Sequence, residues 1–182
     1  LCFFFFSYTS SELLLKSEPF VPQSNLFANA SKEGTIIYPG ILGGSNWSPV
    51  SLNTDKNIAF ISGIHAPIKY TSHEKITNDN VLSYTSSEPT NDEQWGLLSA
   101  INLSNGKIIW QYRTEEPLLG GTLSTKGNLV FSGEGNGNFN AFNSQNGKLL
   151  WQTKIDAGVN APPISYMIDG IQYIAVAAGG NK

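Results

Sequence analysis

Short apolar runs cut off by glycine set the rhythm of this chain. Ile58-Ala59-Phe60-Ile61-Ser62 stops at Gly63, and Leu129-Val130-Phe131-Ser132 stops at Gly133. Runs of this length, rich in branched and aromatic residues, predict buried strands rather than helices. Around them the pattern predicts strands at 49–52, 58–62, 97–102 and 107–113, then 120–125, 129–132, 138–143 and 148–154. Turn chemistry separates them, as at 53–56, 103–106 and 126–128. A last pair, 164–168 and 171–177, flanks Asp169-Gly170, a two-residue hairpin signal.

Within this rhythm one sentence is written twice. Residues 96–110 read GLLSAINLSNGKIIW and residues 137–151 read GNFNAFNSQNGKLLW. Trp110 and Trp151 stand 41 positions apart. A β-type repeat of about 40 residues is the signature of a radial propeller, with four strands in each blade. The fold class expected is therefore all-β. One interrupted blade spans about 42–113, one complete blade about 118–154, and half of a third follows. Residues 64–94, polar and holding both histidines, break the rhythm and read as a long surface insertion. Residues 1–41 read as an irregular connector, with 42–182 as the partial propeller. An arc this short leaves unpaired strand edges, which disfavours a lone monomer.

Composition narrows the function classes. A net charge of −3, with no basic stripe, argues against a nucleic-acid partner. Cys2 is the single cysteine, so there is no internal disulfide, no cysteine-rich metal cluster and no C-x-x-C-H haem attachment. The opening Leu1-Cys2-Phe3-Phe4-Phe5-Phe6 is apolar but far too short to span a bilayer, and it lacks the basic start of a whole signal peptide. The expectation is a piece of something longer.

Both copies share A-x-N-x-x-N-G-K-x-x-W. Asn-Gly suits a turn that needs positive φ, and each tryptophan, on an outer strand, can wedge against a neighbouring blade with its N–H partnered. The pattern resembles the tryptophan-docking motif of the quinoproteins, with Asn102 and Asn143 where Asp is usual, and Asn105 and Asn146 where Thr is usual. Three further stretches narrow the likeness. PGILGGSNWSP at 39–49, PLLGGTLSTKGNLVF at 117–131 and SYMIDGIQYIAV at 165–176 with Gly179-Gly180 are similar to stretches of the PQQ-dependent methanol, ethanol and glucose dehydrogenases, in the same order. The likeness runs from about residue 34 to the end. It corresponds to the C-terminal part of a longer chain that closes an eight-bladed propeller.

The resemblance implies an oxidoreductase in which an alcohol or sugar passes hydride to pyrroloquinoline quinone (PQQ) held on Ca²⁺ or a lanthanide. The ion acts as a Lewis acid beside an aspartate base. The family's metal ligands and catalytic aspartate have no match in this chain, so no catalytic or metal-binding residue is assigned. Four positions are carried over as cofactor-facing: Asn46, Trp47, Leu119 and Gly180. Asn46 can donate to and accept from quinone or carboxylate oxygens. Leu119 stands where many alcohol-oxidising members carry Trp, which weakens a methanol-type reading. Implied partners are the substrate, the rest of the propeller and an electron acceptor such as cytochrome c or quinone. The implied location is the periplasm, with membrane association left open.

Other candidates read as structural. Asp92, Glu93, Glu115, Glu116, Asp156 and Asp169 fall in loops or turns, where ionised carboxylates stay in water. His65 and His73 lack the companion ligands of a metal site. A competing reading is a non-enzymatic propeller that binds or assembles partners in the cell envelope. Another is an inert remnant. For the isolated chain no dehydrogenase turnover is expected.

Overall fold

A computed structural model describes residues 29–77 and 80–179. Thirteen strands and no helix are found among them. The chain divides into two compact units, one of 45–65 and 94–179, the other of 29–44 and 66–93.

The first unit is built of propeller blades. In one four-stranded antiparallel sheet the order is β2 (Ser51–Asn53), β3 (Ile58–His65), β6 (Trp95–Asn102), β7 (Ile108–Thr114). The next sheet runs β8 (Thr122–Ser124), β9 (Leu129–Gly133), β10 (Asn138–Asn143), β11 (Leu149–Lys154). A two-stranded sheet, β12 (Ile164–Ile168) with β13 (Ile171–Ala175), follows. Its turn has Asp169 at φ 49° and Gly170 at φ 78°, the positive pair such a hairpin requires. The all-β reading and the blade strands are therefore as the pattern predicts.

Alternation decides where each strand packs. Val130 joins Ile58, Phe60, Leu98, Ala100, Trp110, Leu118 and Phe142 in a core between the two four-stranded sheets. Its neighbour Phe131 points the other way, into a core with Phe139, Ala141 and Val159 that Ile174 and Val176 flank. The sheet of β8 to β11 thus packs apolar side chains on both of its faces, whereas β12 and β13 are largely exposed.

The repeated turns are superimposable in their bonding. Asn102 Oδ1 accepts from Ser104 N at 2.8 Å, and Asn105 Oδ1 from Lys107 N at 2.9 Å. Asn143 Oδ1 accepts from Gln145 N at 2.8 Å, and Asn146 Oδ1 from Lys148 N at 3.0 Å. An acceptor oxygen is what these positions require, and asparagine provides it. Each copy also carries a register shift just after its alanine, and pairing sets Ala100 opposite Trp110 and Ala141 opposite Trp151. The small residue leaves room for the large ring.

In the second unit, segments read as an irregular connector and a surface insertion form regular strands. β1 (Thr35–Ile37), β4 (Ile68–Thr77) and β5 (Asn80–Pro89) form a three-stranded antiparallel sheet in the order β1-β4-β5. Its strands lack the apolar alternation of a half-buried sheet because β5 is exposed along its whole length. Cross-strand pairs hold it instead. Lys69 Nζ lies 3.0 Å from Glu88 Oε1, and the His73 and Tyr84 rings stack 5.1 Å apart.

Candidate functional site

Antiparallel order places particular loops on one edge of the blades. β2 starts, β3 ends, β6 starts and β7 ends at the same edge, as the pairs His65↔Trp95 and Gly96↔Thr114 show. The second sheet keeps that orientation, for Leu118 N donates to Gly63 O and Thr122 N to Pro49 O. This edge therefore collects residues 46–50, 115–121, 134–137 and 155–163.

Asn46 and Trp47 stand here, both exposed, with 60 % of Trp47 open to solvent. Ser48, next to them, is buried, and its hydroxyl donates to Leu119 O at 2.9 Å. That bond joins the Asn46–Trp47 segment to the loop carrying Leu119, itself half-buried. Gly120 and Gly121 follow. A Cβ on Gly121, at φ +81°, would lie 2.6 Å from Pro49 Cδ and 2.7 Å from Pro49 O, so only glycine allows this approach. Three of the four proposed cofactor-facing residues thus share one edge. Gly180, the fourth, lies outside the described residues.

One placement differs from the sequence reading. His65 closes β3 inside the blade rather than belonging to the insertion, and it stacks on Trp95 at 4.5 Å. The Arg113 guanidinium lies 4.7 Å over that indole. His73 does sit in the 64–94 segment, where its Nε2 is 2.7 Å from Ser86 Oγ. Asp92 accepts from the Tyr38 hydroxyl at 2.8 Å, within the second unit. Burial, then that hydrogen bond and the charge of Asp92, hold the Tyr38 phenol above its ordinary value.

One residue escaped the sequence reading. Glu134 is only 3 % exposed, and its carboxylate accepts four N–H groups. Oε2 takes Glu115 N at 3.1 Å and Glu116 N at 3.4 Å; Oε1 takes the side-chain amides of Asn140 at 2.7 Å and Asn138 at 3.4 Å. A single Glu between two glycines has no spacing that marks it out.

Residues 15–174 match the family described as glucose/ethanol/alcohol dehydrogenase, beta-propeller domain. The chain belongs to this PQQ family. Among similar proteins of the PQQ family is the quinoprotein alcohol dehydrogenase PedE of Pseudomonas putida. It is 35% identical over an alignment of 147 residues that covers 79% of this chain and 23% of PedE. The quinohemoprotein alcohol dehydrogenase of Comamonas testosteroni matches in structure with a TM-score of 0.68 and 28% identity, over 80% of this chain and 24% of that one. A europium-containing methanol dehydrogenase gives 0.64 and 27%, over 80% of this chain and 27% of its own. The chain therefore spans about a quarter of the length of these PQQ-family relatives.

Gly120 and Gly121 are buried against the backbone of neighbouring loops. Chemically, the edge offers amide and backbone hydrogen-bonding groups and an exposed indole. These suit one face of a flat, oxygen-rich ligand. Among the described residues no group of three or more His, Cys, Asp or Glu is placed to hold a metal ion.

Proposed function

We propose that this chain forms one wall of a PQQ pocket in a dehydrogenase that oxidises an alcohol or a sugar. Membership of the PQQ family supports the cofactor. The observation that carries the wall is the Ser48–Leu119 bond, which ties the segment of Asn46 and Trp47 to the Leu119 loop on one edge of the blades. The bound quinone would supply the hydride acceptor. Asn46 would hold an oxygen of the cofactor through its amide, Trp47 would offer an apolar face beside it, and Leu119 would line the pocket by its side chain or backbone. Gly180 belongs to the same proposal on sequence grounds. A Ca²⁺ or lanthanide ion would draw its ligands from outside the described residues.

The reading places the protein in the periplasm, with cytochrome c or a quinone taking the electrons. The chain of 182 residues by itself gives no turnover. The test is PQQ binding by the protein as its source makes it, followed by tryptophan fluorescence, alongside PQQ-dependent dye reduction with Ca²⁺ added. Asn46→Ala should raise the Kd for PQQ roughly tenfold, the loss of one hydrogen bond to a charged or strongly polar group. A wild-type protein with no affinity for PQQ would sink the proposal, and dye reduction by purified 1–182 would overturn its inactivity.

A further inference from the structure

We propose that Glu134 is the positioning residue for the pocket wall, its carboxylate setting the path of residues 115–119. The inference rests on the PQQ-pocket reading for its consequence but not for its geometry.

The carboxylate is buried, and no lysine or arginine pairs with it among the described residues. Its charge is met by N–H dipoles alone. A buried charge without a cation is expensive, and an apolar side chain of the same size would pack at less cost. What an apolar residue cannot do is accept two consecutive backbone N–H groups. Those of Glu115 and Glu116 lie past the end of β7, outside any ladder, and need a partner if they leave water. Glu134 Oε2 is that partner for both.

Beyond these two amides the loop has few other holds. Thr114 Oγ1 donates to Glu116 O at 2.8 Å, Leu118 N donates to Gly63 O at 3.4 Å, and Ser48 Oγ donates to Leu119 O at 2.9 Å. All three come from the first blade. From the second blade the loop is held by Glu134 and, at an exposed side chain, by Asn136 Nδ2, which donates to Glu115 Oε2 at 3.2 Å. Of the two only Glu134 takes backbone N–H groups, and it fixes the loop at its entry, before Leu119 is reached. The Glu134 backbone does the same for the next loop, since its carbonyl accepts from Val159 N at 2.9 Å. One residue therefore registers the loops on both sides of its sheet.

The experiment compares wild type, Glu134→Gln and Asn140→Ala in the protein as its source makes it, by amide hydrogen exchange and by PQQ titration. In wild type the amides of Glu115 and Glu116 should be protected although they lie in a loop. Free exchange there would overturn the proposal without any variant needing to fold. Glu134→Gln puts an N–H group where one acceptor stood, and exchange at 115–119 should rise roughly tenfold or more while β3 and β6 stay protected. The Kd for PQQ should rise about tenfold, with kcat at saturating PQQ changed less than about twofold. Asn140→Ala removes a donor from the other oxygen, so it should lower thermal stability yet leave the loop and the Kd unchanged. Exchange raised evenly through the sheet would make Glu134 merely structural, and a freed loop with unchanged Kd would remove its role in the wall. If wild type binds no PQQ, the pocket reading fails, and exchange at 115–119 still decides whether Glu134 sets the loop.

Discussion

The indole Nε1 of Trp110 donates a 3.0 Å hydrogen bond to the carbonyl of Ser144, in the turn of the next blade. The ring is 8 % exposed and packs against Phe60 at 5.9 Å. Trp151, its counterpart one repeat later, is 50 % exposed and makes a T-shaped contact with Phe139 at 6.2 Å. Trp110→Phe should therefore destabilise this chain by about 1–3 kcal/mol, because a buried carbonyl loses its donor and packing loosens. Trp151→Phe should stay within about 0.5 kcal/mol, as exposed substitutions do. Urea denaturation of the two variants checks the contrast, and equal losses would refute the docking argument.

Thr122 is a second joint between the blades. Its hydroxyl accepts from Ser51 N at 3.0 Å, lies 2.8 Å from Ser51 Oγ, and donates to Phe60 O at 3.0 Å. Both lone pairs and the proton are used. Thr122→Val keeps the shape and strands three polar groups near the core, so a loss of about 2–3 kcal/mol is expected. Thr122→Ser keeps the hydroxyl and should recover most of it. If the valine variant melts where wild type does, the hydroxyl is not what joins the blades.

How far the sequence revealed this molecule follows from where its information is local. The Asn-Gly-Lys turns announce themselves because each asparagine bonds a backbone N–H two residues on, so their geometry is written in adjacent letters. The blade strands were equally plain, because burial on both faces demands continuous apolar runs such as that of β3. β4 and β5 gave no such signal, for a sheet held by Lys69–Glu88 and His73–Tyr84 pairs needs no apolar face. Of the candidate site, Asn46, Trp47 and Leu119 were found through a resemblance, whereas Glu134 was invisible. Its four donors come from residues 4 to 19 positions away, and nothing in its immediate neighbours encodes that convergence.

The two copies of the turn also differ in a testable way. Gly106 and Gly147 both sit at φ +69°, where alanine is strained. A Cβ on Gly106 would meet nothing within 4 Å, whereas one on Gly147 would lie 2.5 Å from Trp110 Cε3. Gly106→Ala should cost about 1 kcal/mol, the penalty of the left-handed conformation alone. Gly147→Ala must also push the indole from its seat, adding about 1–3 kcal/mol of overpacking. The emission of Trp110 should shift to the red in the second variant only. Matching stabilities would show that the ring does not rest on Gly147.

The last prediction concerns the phenol of Tyr38. Burial is the larger cause of its raised pKa, and the hydrogen bond and charge of Asp92 add to it. The neutral phenol is thus favoured by the folded state. Its contribution to stability is complete below the ordinary tyrosine value of about 10 and disappears as pH climbs through the higher folded value. Ultraviolet titration, with Tyr38→Phe as the blank, should show one tyrosine ionising above the ordinary value. Asp92→Asn removes the charge and leaves the burial, so the midpoint should fall part of the way and no further. A midpoint at or below the ordinary value in wild type would mean that Asp92 does not face the hydroxyl in solution. A full return to the ordinary value in Asp92→Asn would instead assign the whole shift to the carboxylate, and burial would have no part in it.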